Sequence, residues 1–390
     1  MNTNSRIYLD NAATSWPKPT CVYDTVDHYL REVGAPGGRS GYREAVEANQ
    51  TVERARRGVA ELIGAAESRQ VIFTASGTDS LNMAIFGVLR PGDHVVTTVC
   101  DHNSVLRPLR ALSDSGVITV SYVSCDGQGF VAPDEVRKAM LPQTRLVAVV
   151  HGSNVTGAIQ PVAEIGQVSR QHEALLLVDA AQTLGHVPID VNRMHVDLLA
   201  APGHKGLLGP LGTGVLYVRP TIETELKPLR LGGTGTHSEL DIQPETLPDK
   251  YESGNHNLPG LTGLAAATEF LRARGIESIQ SHHAGLVGRL LDGLATIPGL
   301  WVHGPTATTS RTSVVSFTLT GYDPQELAAM LEASGGVQCR AGLHCAPRMH
   351  RALGTLEQGG TVRLSPGWAT TDAQIERTLE LIAELAAVAP

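Results

Sequence analysis

Basic residues are in the minority in this chain. Against 39 Asp and Glu stand 31 Lys and Arg, a formal net charge of −8, which gives no support to a nucleic-acid or anionic-membrane partner. No apolar run reaches the length of a membrane span, and the opening MNTNSRIYLD lacks the basic, apolar and small-residue order of an export signal. Cysteine is sparse: Cys21, Cys100, Cys125, Cys339 and Cys345 form no close pairs. An odd, scattered set excludes a disulfide framework and reads as reduced thiols of a cytoplasmic protein. Aromatic residues are few as well, at 4%. Low-complexity tracts, internal repeats and long linkers are missing.

What is present points to an α/β protein. Glycine is abundant, at 41 of 390 residues, which suits many strand-to-helix turns. That length favours a large and a small domain over a single core. Short apolar runs at 71–74, 94–98, 146–150, 175–178, 197–200 and 213–218 predict strands. Leu81, Ile85 and Val88, and later Val162, Ile165 and Val168 behind Pro161, repeat at helical spacing between them. Strands alternating with helices imply a mostly parallel sheet. Beyond residue 260 the pattern changes: long helical stretches over 258–297, short strands at 312–317, 337–339 and 361–364, and a last helix from Asp372. Thr371 and Gln374 form a capping box for that helix. The predicted division is 21–260 for a large α/β domain, with 1–20 and 261–390 forming a smaller α+β domain.

Several polar residues follow the predicted strands, at the carboxyl edge where open α/β sheets place ligands. Asp179 ends an apolar strand, and Lys205 sits beside His204 in a glycine-flanked loop between two others. A Lys that binds pyridoxal 5′-phosphate (PLP) covalently, with an Asp against the pyridinium nitrogen, is the pair that PLP chemistry requires. Gln182 could donate to the ring oxygen. Gly77 and Thr78, between strand and helix, would offer backbone N–H groups to the phosphate. His102 could stack on the ring and carry protons, and Asn154 follows the 146–150 strand. Each alone has a plainer reading as a turn or a satisfied core residue; five strand ends aimed at one cofactor do not.

These residues, running from Tyr8-Leu9-Asp10-Asn11-Ala12-Ala13-Thr14 to Arg363-Leu364-Ser365, resemble the cysteine desulfurase and selenocysteine lyase family of the class V aminotransferase fold, its group II branch most. The resemblance implies a fold-type I PLP-dependent transferase and a homodimer with the active site near the subunit interface. Lys205 aligns with the cofactor lysine, Asp179 with the pyridinium partner and His102 with the stacking histidine. Asn154 and Gln182 align with ring-oxygen and substrate contacts, Ala13 lies in the substrate-side motif, and Arg363 aligns with the arginine that binds the substrate carboxylate. Arg340-Ala341-Gly342-Leu343-His344-Cys345-Ala346 resembles the R-x-G-x-H-C-A stretch whose cysteine takes sulfur from L-cysteine. Only a thiolate is nucleophilic enough for that task, and Arg340 and His344 would supply nearby positive charge. The sulfur would then pass to an acceptor, expected to be a protein. Two positions depart from the family: Pro202 stands where Ser or Thr is common, and Asn255 where a Thr would reach the partner's cofactor phosphate.

Other signals are set aside. The segment 231–237 has the glycines of a nucleotide loop but no strand–helix unit and no GK[ST]. His344, Cys345 and His350 lack a fourth metal ligand, so no metal is expected. Arg54, Arg56 and Arg57 read as a solvated helix face, and His282-His283 as one exposed and one half-buried histidine. The residues leave open a PLP lyase or aminotransferase acting on selenocysteine or cystine, and a catalytically silent PLP-binding scaffold.

Overall fold

A computed structural model describes residues 6–38, 40–235, 239 and 241–389; Thr236 and His237 of the glycine-rich segment lie outside these. The chain begins with a short strand, β1 (Ile7–Tyr8), and helices α1 (Thr20–His28) and α2 (Arg43–Leu62). The large sheet follows: β2 (Val71–Thr74), α3 (Gly77–Val88), β3 (His94–Thr98), α4 (Asn103–Asp114), β4 (Thr119–Val123), α5 (Pro133–Ala139), β5 (Thr144–Val150), α6 (Val162–Gln171), β6 (Leu175–Asp179), β7 (Leu198–Pro202) and β8 (Gly214–Val218). The strand order is β2-β8-β7-β6-β5-β3-β4. Only β8 runs against the rest, antiparallel to both neighbours. The sheet is therefore mostly parallel, as the alternation of strands and helices predicts.

Burial on both faces explains the apolar runs. All residues of β6 and β7 are buried, as expected of strands covered by helices on two sides. The exception is β4, an edge strand with a half-exposed face; its mixed Thr-Val-Ser-Tyr-Val run did not mark it as a strand.

The remainder comprises α7 (Leu258–Arg274), α8 (Ile276–Leu294), β9 (Leu300–His303), β10 (Val315–Leu319), α9 (Pro324–Gly335), β11 (Val337–Gln338), β12 (Arg340–Gly342), α10 (Pro347–Ala352), β13 (Thr361–Leu364) and α11 (Asp372–Ala387). Strands β12-β13-β10-β9 form an antiparallel sheet, and β1 pairs with β11. The long helical stretches expected over 258–297 are the two helices α7 and α8, separated at Gly275, whose φ of +82° turns the chain. Strand β10 starts three residues later than the predicted 312, and the predicted 337–339 strand ends at Gln338 as β11, with β12 of the other sheet starting at Arg340. Thr371 and Gln374 make the expected capping box. Ile7 and Leu9 share a core with Leu286, Phe317, Leu364 and Ile382, so the N-terminus packs with the C-terminal unit. The apolar face of α7 joins the core of the large sheet instead, through Leu261, Leu264 and Leu271. Residue 260, where the sequence reading divides the chain, falls inside this helix.

Two expectations fail: the sequence predicts one exposed and one half-buried histidine at 282–283, whereas His282 is half-buried and His283 buried, and the arginine triplet of α2 is not all solvated. Arg56 is not solvated: at 2% exposure its guanidinium makes a fork to Glu252, Nη1–Oε1 2.7 Å and Nη2–Oε2 2.8 Å. Glu252 also accepts the Phe73 amide at 2.6 Å, so the pair ties α2, β2 and the 251–257 loop together. Arg56 and nearby His256 outweigh the opposing effect of burial and hold the Glu252 carboxyl down at about 2. Removing one partner from a buried pair is far worse than removing both. Arg56→Met is expected to lower unfolding stability by about 3 kcal/mol, read by chemical denaturation at neutral pH. Because the folded pKa lies below the unfolded one, this contribution is full above about 4.5 and fades as pH falls toward 2. The gap between variant and parent should narrow over that window; a gap that is absent at neutral pH would refute the assignment.

Candidate active site

The carboxyl edge of the large sheet gathers most of the predicted residues. Gly77 lies three residues beyond β2, His102 four beyond β3, Asn154 four beyond β5 and Lys205 three beyond β7, while Asp179 ends β6. Register sets Asp179 between Val150 and Ala200. One cavity is lined by Gly77, Thr78, His102, Asn154, Asp179, Gln182, His204 and Lys205, together with Ser76, Ser104 and Pro202. Eight of the nine residues expected to contact the cofactor thus meet at one place. The ninth, Asn255, lies in a separate cleft beside Glu252, Arg230 and Asn257. A larger cavity of about 410 Å³ opens at the opposite edge, around Arg170, His195 and Arg219, and contains none of these residues.

One end of the cavity suits an anion. Helix α3 is capped by the Ser76 side chain, which accepts the Asp79 amide at 3.1 Å. The amides of Gly77 and Thr78, in the first turn, have no carbonyl partner within the helix. A Cβ on Gly77 would lie 3.0 Å from both the N and Cδ of Pro202. The helix start is therefore pressed against the end of β7, and Pro202 fills that contact without the hydroxyl common in the family.

Lys205 faces this space with Asp179. Burial lowers the Lys205 amine to about 8 against the pull of Asp179, with Arg363 and Arg340 lowering it further. Asp179 is buried and its pKa is raised by that burial, while the Ala181 amide, 2.9 Å from Oδ1, and Lys205 act the other way. The backbone ahead of Lys205 is pinned by the N-terminal segment. The His204 carbonyl accepts from Thr14 Oγ1 (3.2 Å), the Ser15 amide and Oγ (both 3.0 Å) and Lys18 Nζ (2.9 Å). Sequence reading quoted the motif holding Thr14 but assigned no task to Thr14, Ser15 or Lys18. Ala13 stands in the same segment, and the neighbouring Ala12 carbonyl takes the Gln182 Nε2 donor at 3.0 Å.

His102 is held in one tautomer. Its Nδ1 accepts the Ser104 amide at 3.0 Å, so the neutral ring carries its proton on Nε2. Burial, then Lys205, Arg340 and Arg107, lowers this histidine to about 4, which keeps it neutral near pH 7. The preceding Asp101 accepts from the Thr98 amide and from the Thr97 and Thr98 hydroxyls and anchors the loop.

Cys345 comes from the C-terminal unit and is held against this edge. The Cys345 carbonyl accepts the Asn103 amide at 2.8 Å, and Asn154 Nδ2 donates to the His344 carbonyl at 2.5 Å. The Ala346 amide closes a turn onto Leu343 at 2.9 Å, with His344 at φ +47° and Cys345 at φ +60°. Two consecutive non-glycine residues in the left-handed region cost about 1 kcal/mol each or more. Contacts from the large sheet hold them there. Arg340 Nη2 lies 3.8 Å from the half-buried Cys345 Sγ. His344 does not share that role. It is buried, its Nε2 bonds to Thr361 at 3.1 Å, and burial drives it down to about 2; positive charge at the thiol comes from Arg340, 3.8 Å from Sγ, and from Arg363, which interacts with Cys345 electrostatically. Arg363 is buried behind the site. Its Nη2 meets Asp10 at 2.9 Å, Nη1 the Asn154 carbonyl at 3.2 Å, and Nε is buried without a partner.

A buried acid, an amine of lowered pKa, a neutral imidazole and two helix-start amides around one cavity fit PLP. Asn154 Oδ1 and His204 Nδ1, buried and unpartnered, are polar atoms that a bound group can satisfy. Among the described residues no cluster of three or more His, Cys, Asp or Glu is arranged to hold a metal ion, and no helix is long and apolar enough to cross a membrane.

The fold and site define a PLP-dependent class V aminotransferase: the aminotransferase class-V family matches residues 7–378. A probable cysteine desulfurase from Methanothermobacter thermautotrophicus is 36% identical over 386 residues, covering 97% of this chain and 94% of that one. An apo cysteine desulfurase structure from Thermococcus onnurineus superposes with a TM-score of 0.92 at 32% identity, covering 98% and 95% of the two chains. The Escherichia coli cysteine desulfurase CsdA gives a TM-score of 0.89 at 27% identity, covering 99% and 96%. The chain belongs to the cysteine desulfurase family.

Proposed function

We propose that this chain is a PLP-dependent cysteine desulfurase that converts L-cysteine to L-alanine and keeps the sulfur as a persulfide on Cys345. The observation that carries the reading is the left-handed turn that holds Cys345, with Arg340 at its Sγ, against Asn103 and Asn154 at the Lys205 cavity. Bound there, the cofactor would take up the electron pair released at the substrate α-carbon. Lys205 is the residue to hold the cofactor and to remove the α-proton. Its lowered pKa favours the neutral amine that both tasks need. Asp179 would keep the ring nitrogen protonated, and Gly77 and Thr78 would hold the phosphate. Arg363, which the family resemblance assigns to the substrate carboxylate, has its guanidinium held by Asp10. The Cys345 thiolate attacks the substrate sulfur: an S–S bond forms, the C–S bond breaks, and its electron pair stays on carbon, which gains a proton. His102, with Nε2–H as its available group, is the nearby proton carrier.

The family resemblance suggests a homodimer. The exposed Trp16, Tyr23, Leu30 and Leu211 around an apolar recess support a second copy there, and Asn255 would then reach toward the partner's phosphate. Five free thiols suit a reducing cytoplasm. The R-x-G-x-H-C-A stretch is what favours the group II branch.

The test is product analysis with L-cysteine and dithiothreitol. Alanine and sulfide in equal amounts are expected, and cysteamine, which lacks the carboxylate, should be turned over at least about tenfold less efficiently. Pyruvate and ammonia in place of alanine would move the assignment to a lyase.

A further inference from the structure

We propose that the surface around Cys345 is a basic docking face for an acceptor protein whose thiol is flanked by carboxylates. The inference rests on the persulfide reading above. A chain of net charge −8 should present a mainly acidic surface, yet the surroundings of this thiol are cationic. Arg340 on β12 stands 3.8 Å from Cys345 Sγ. Helix α10 begins two residues after Cys345 and carries Arg348 and Arg351 one turn apart. The Asn103 amide, bonded to the Cys345 carbonyl, seats the start of α4 on the same loop, and Arg107 lies one turn further along that helix. Arg107 acts together with Arg340 on the His102 ring, so the two cations share one locality.

These four arginines have no carboxylate within ion-pair distance among the described residues, so their charges are not neutralised locally. Elsewhere on the surface Arg31, Arg110, Arg137 and Arg377 are each matched by an acid on their own helix. Arg348 instead lies over the Tyr122 ring, 3.5 Å from its centroid, which keeps the guanidinium flat against the surface with its charge unneutralised. Arg107 and Arg351 are exposed. Three separate elements contribute, a span wider than a small thiol would cover. A field of one sign around a reactive sulfur steers a partner of opposite charge and raises its encounter rate about 10- to 1,000-fold.

The transfer needs no outside oxidant or reductant. The acceptor thiolate attacks the outer sulfur of the Cys345 persulfide, a new S–S bond forms, the old one breaks, and Cys345 leaves as a thiolate that the next turnover uses.

The test compares holoenzyme with the R348E/R351E variant, using the peptides Glu-Glu-Cys-Glu-Glu and Lys-Lys-Cys-Lys-Lys as acceptors and dithiothreitol as a neutral one. Each peptide is compared with itself between the two enzymes, so intrinsic thiol reactivity cancels. The ratio of acidic- to basic-peptide rates should fall about tenfold or more in the variant, with alanine formation supported by dithiothreitol unchanged. In the parent enzyme, salt raised from about 0.01 to about 1 M, which shortens the screening length from about 30 to about 3 Å, should slow only the acidic peptide. A ratio that survives the double substitution, or an acidic-peptide rate indifferent to salt, overturns the docking face. Absence of alanine with dithiothreitol in the parent enzyme would instead sink the desulfurase reading.

Discussion

Cys345→Ser leaves the visible band of bound PLP in place and removes sulfur transfer. Serine fits the same left-handed turn, closed by the Ala346 amide and held by Asn103 and Asn154, so the loop should stay as it is. What is lost is the nucleophile, since a hydroxyl near pH 7 holds essentially no anion and Arg340 cannot generate one. Alanine formation from L-cysteine should fall on the order of 10⁴-fold or more, in line with losses seen when a covalent nucleophile is removed. The substrate should still perturb the PLP spectrum, because Lys205, Asp179 and Arg363 are untouched. A serine variant that makes alanine at a rate within tenfold of the parent would show that Cys345 is not the sulfur-accepting group.

Lys205→Ala should abolish the band itself and lower turnover by at least about 10²- to 10⁴-fold, the range expected for loss of a positioned general base. Lys205→Arg should not rescue it, since the guanidinium stays protonated. The parent enzyme adds a pH signature. Capture of PLP needs the neutral amine, and burial puts the Lys205 transition at about 8, below the ordinary lysine range. The rate at which PLP-free protein takes up PLP should climb through pH 7 and level off above about 8. A climb that continues toward 10.5 would mean an ordinary, solvated lysine. The sign for stability is the same: a folded pKa below the unfolded one penalises the folded PLP-free protein at low pH, and the penalty is relieved as pH rises from about 8 toward 10.5.

How much of this was legible in the sequence depended on whether a residue's partners were near it in the chain. Asp179, Asn154, His102 and Lys205 each follow a short apolar run, and such runs become buried strands whose carboxyl ends converge. The large sheet and its cavity therefore followed from local pattern. Cys345 was found through its motif, while the strained turn that aims it was not, since nothing in His344-Cys345 announces a positive φ. Arg56 was misread because its partner Glu252 lies 196 residues away. A charged triplet on a helix looks solvated until the opposite wall is known. His344 was read as a cation for a similar reason: its Thr361 acceptor and the apolar C-terminal core become its neighbours only when β12 and β13 pair. The clamp of Thr14, Ser15 and Lys18 on the His204 carbonyl joins segments about 190 residues apart. Asp10 was quoted in a motif, but its hold on Arg363 needs the pairing that places residue 10 beside Ser365.

The most direct measurement is the mass of the Cys345 peptide after holoenzyme receives one equivalent of L-cysteine without reductant. The account predicts one added sulfur atom on that peptide, none on the peptides of Cys21, Cys100, Cys125 or Cys339, and one alanine released per sulfur retained. Alanine released with Cys345 unmodified, or the added sulfur found on another cysteine, would contradict it.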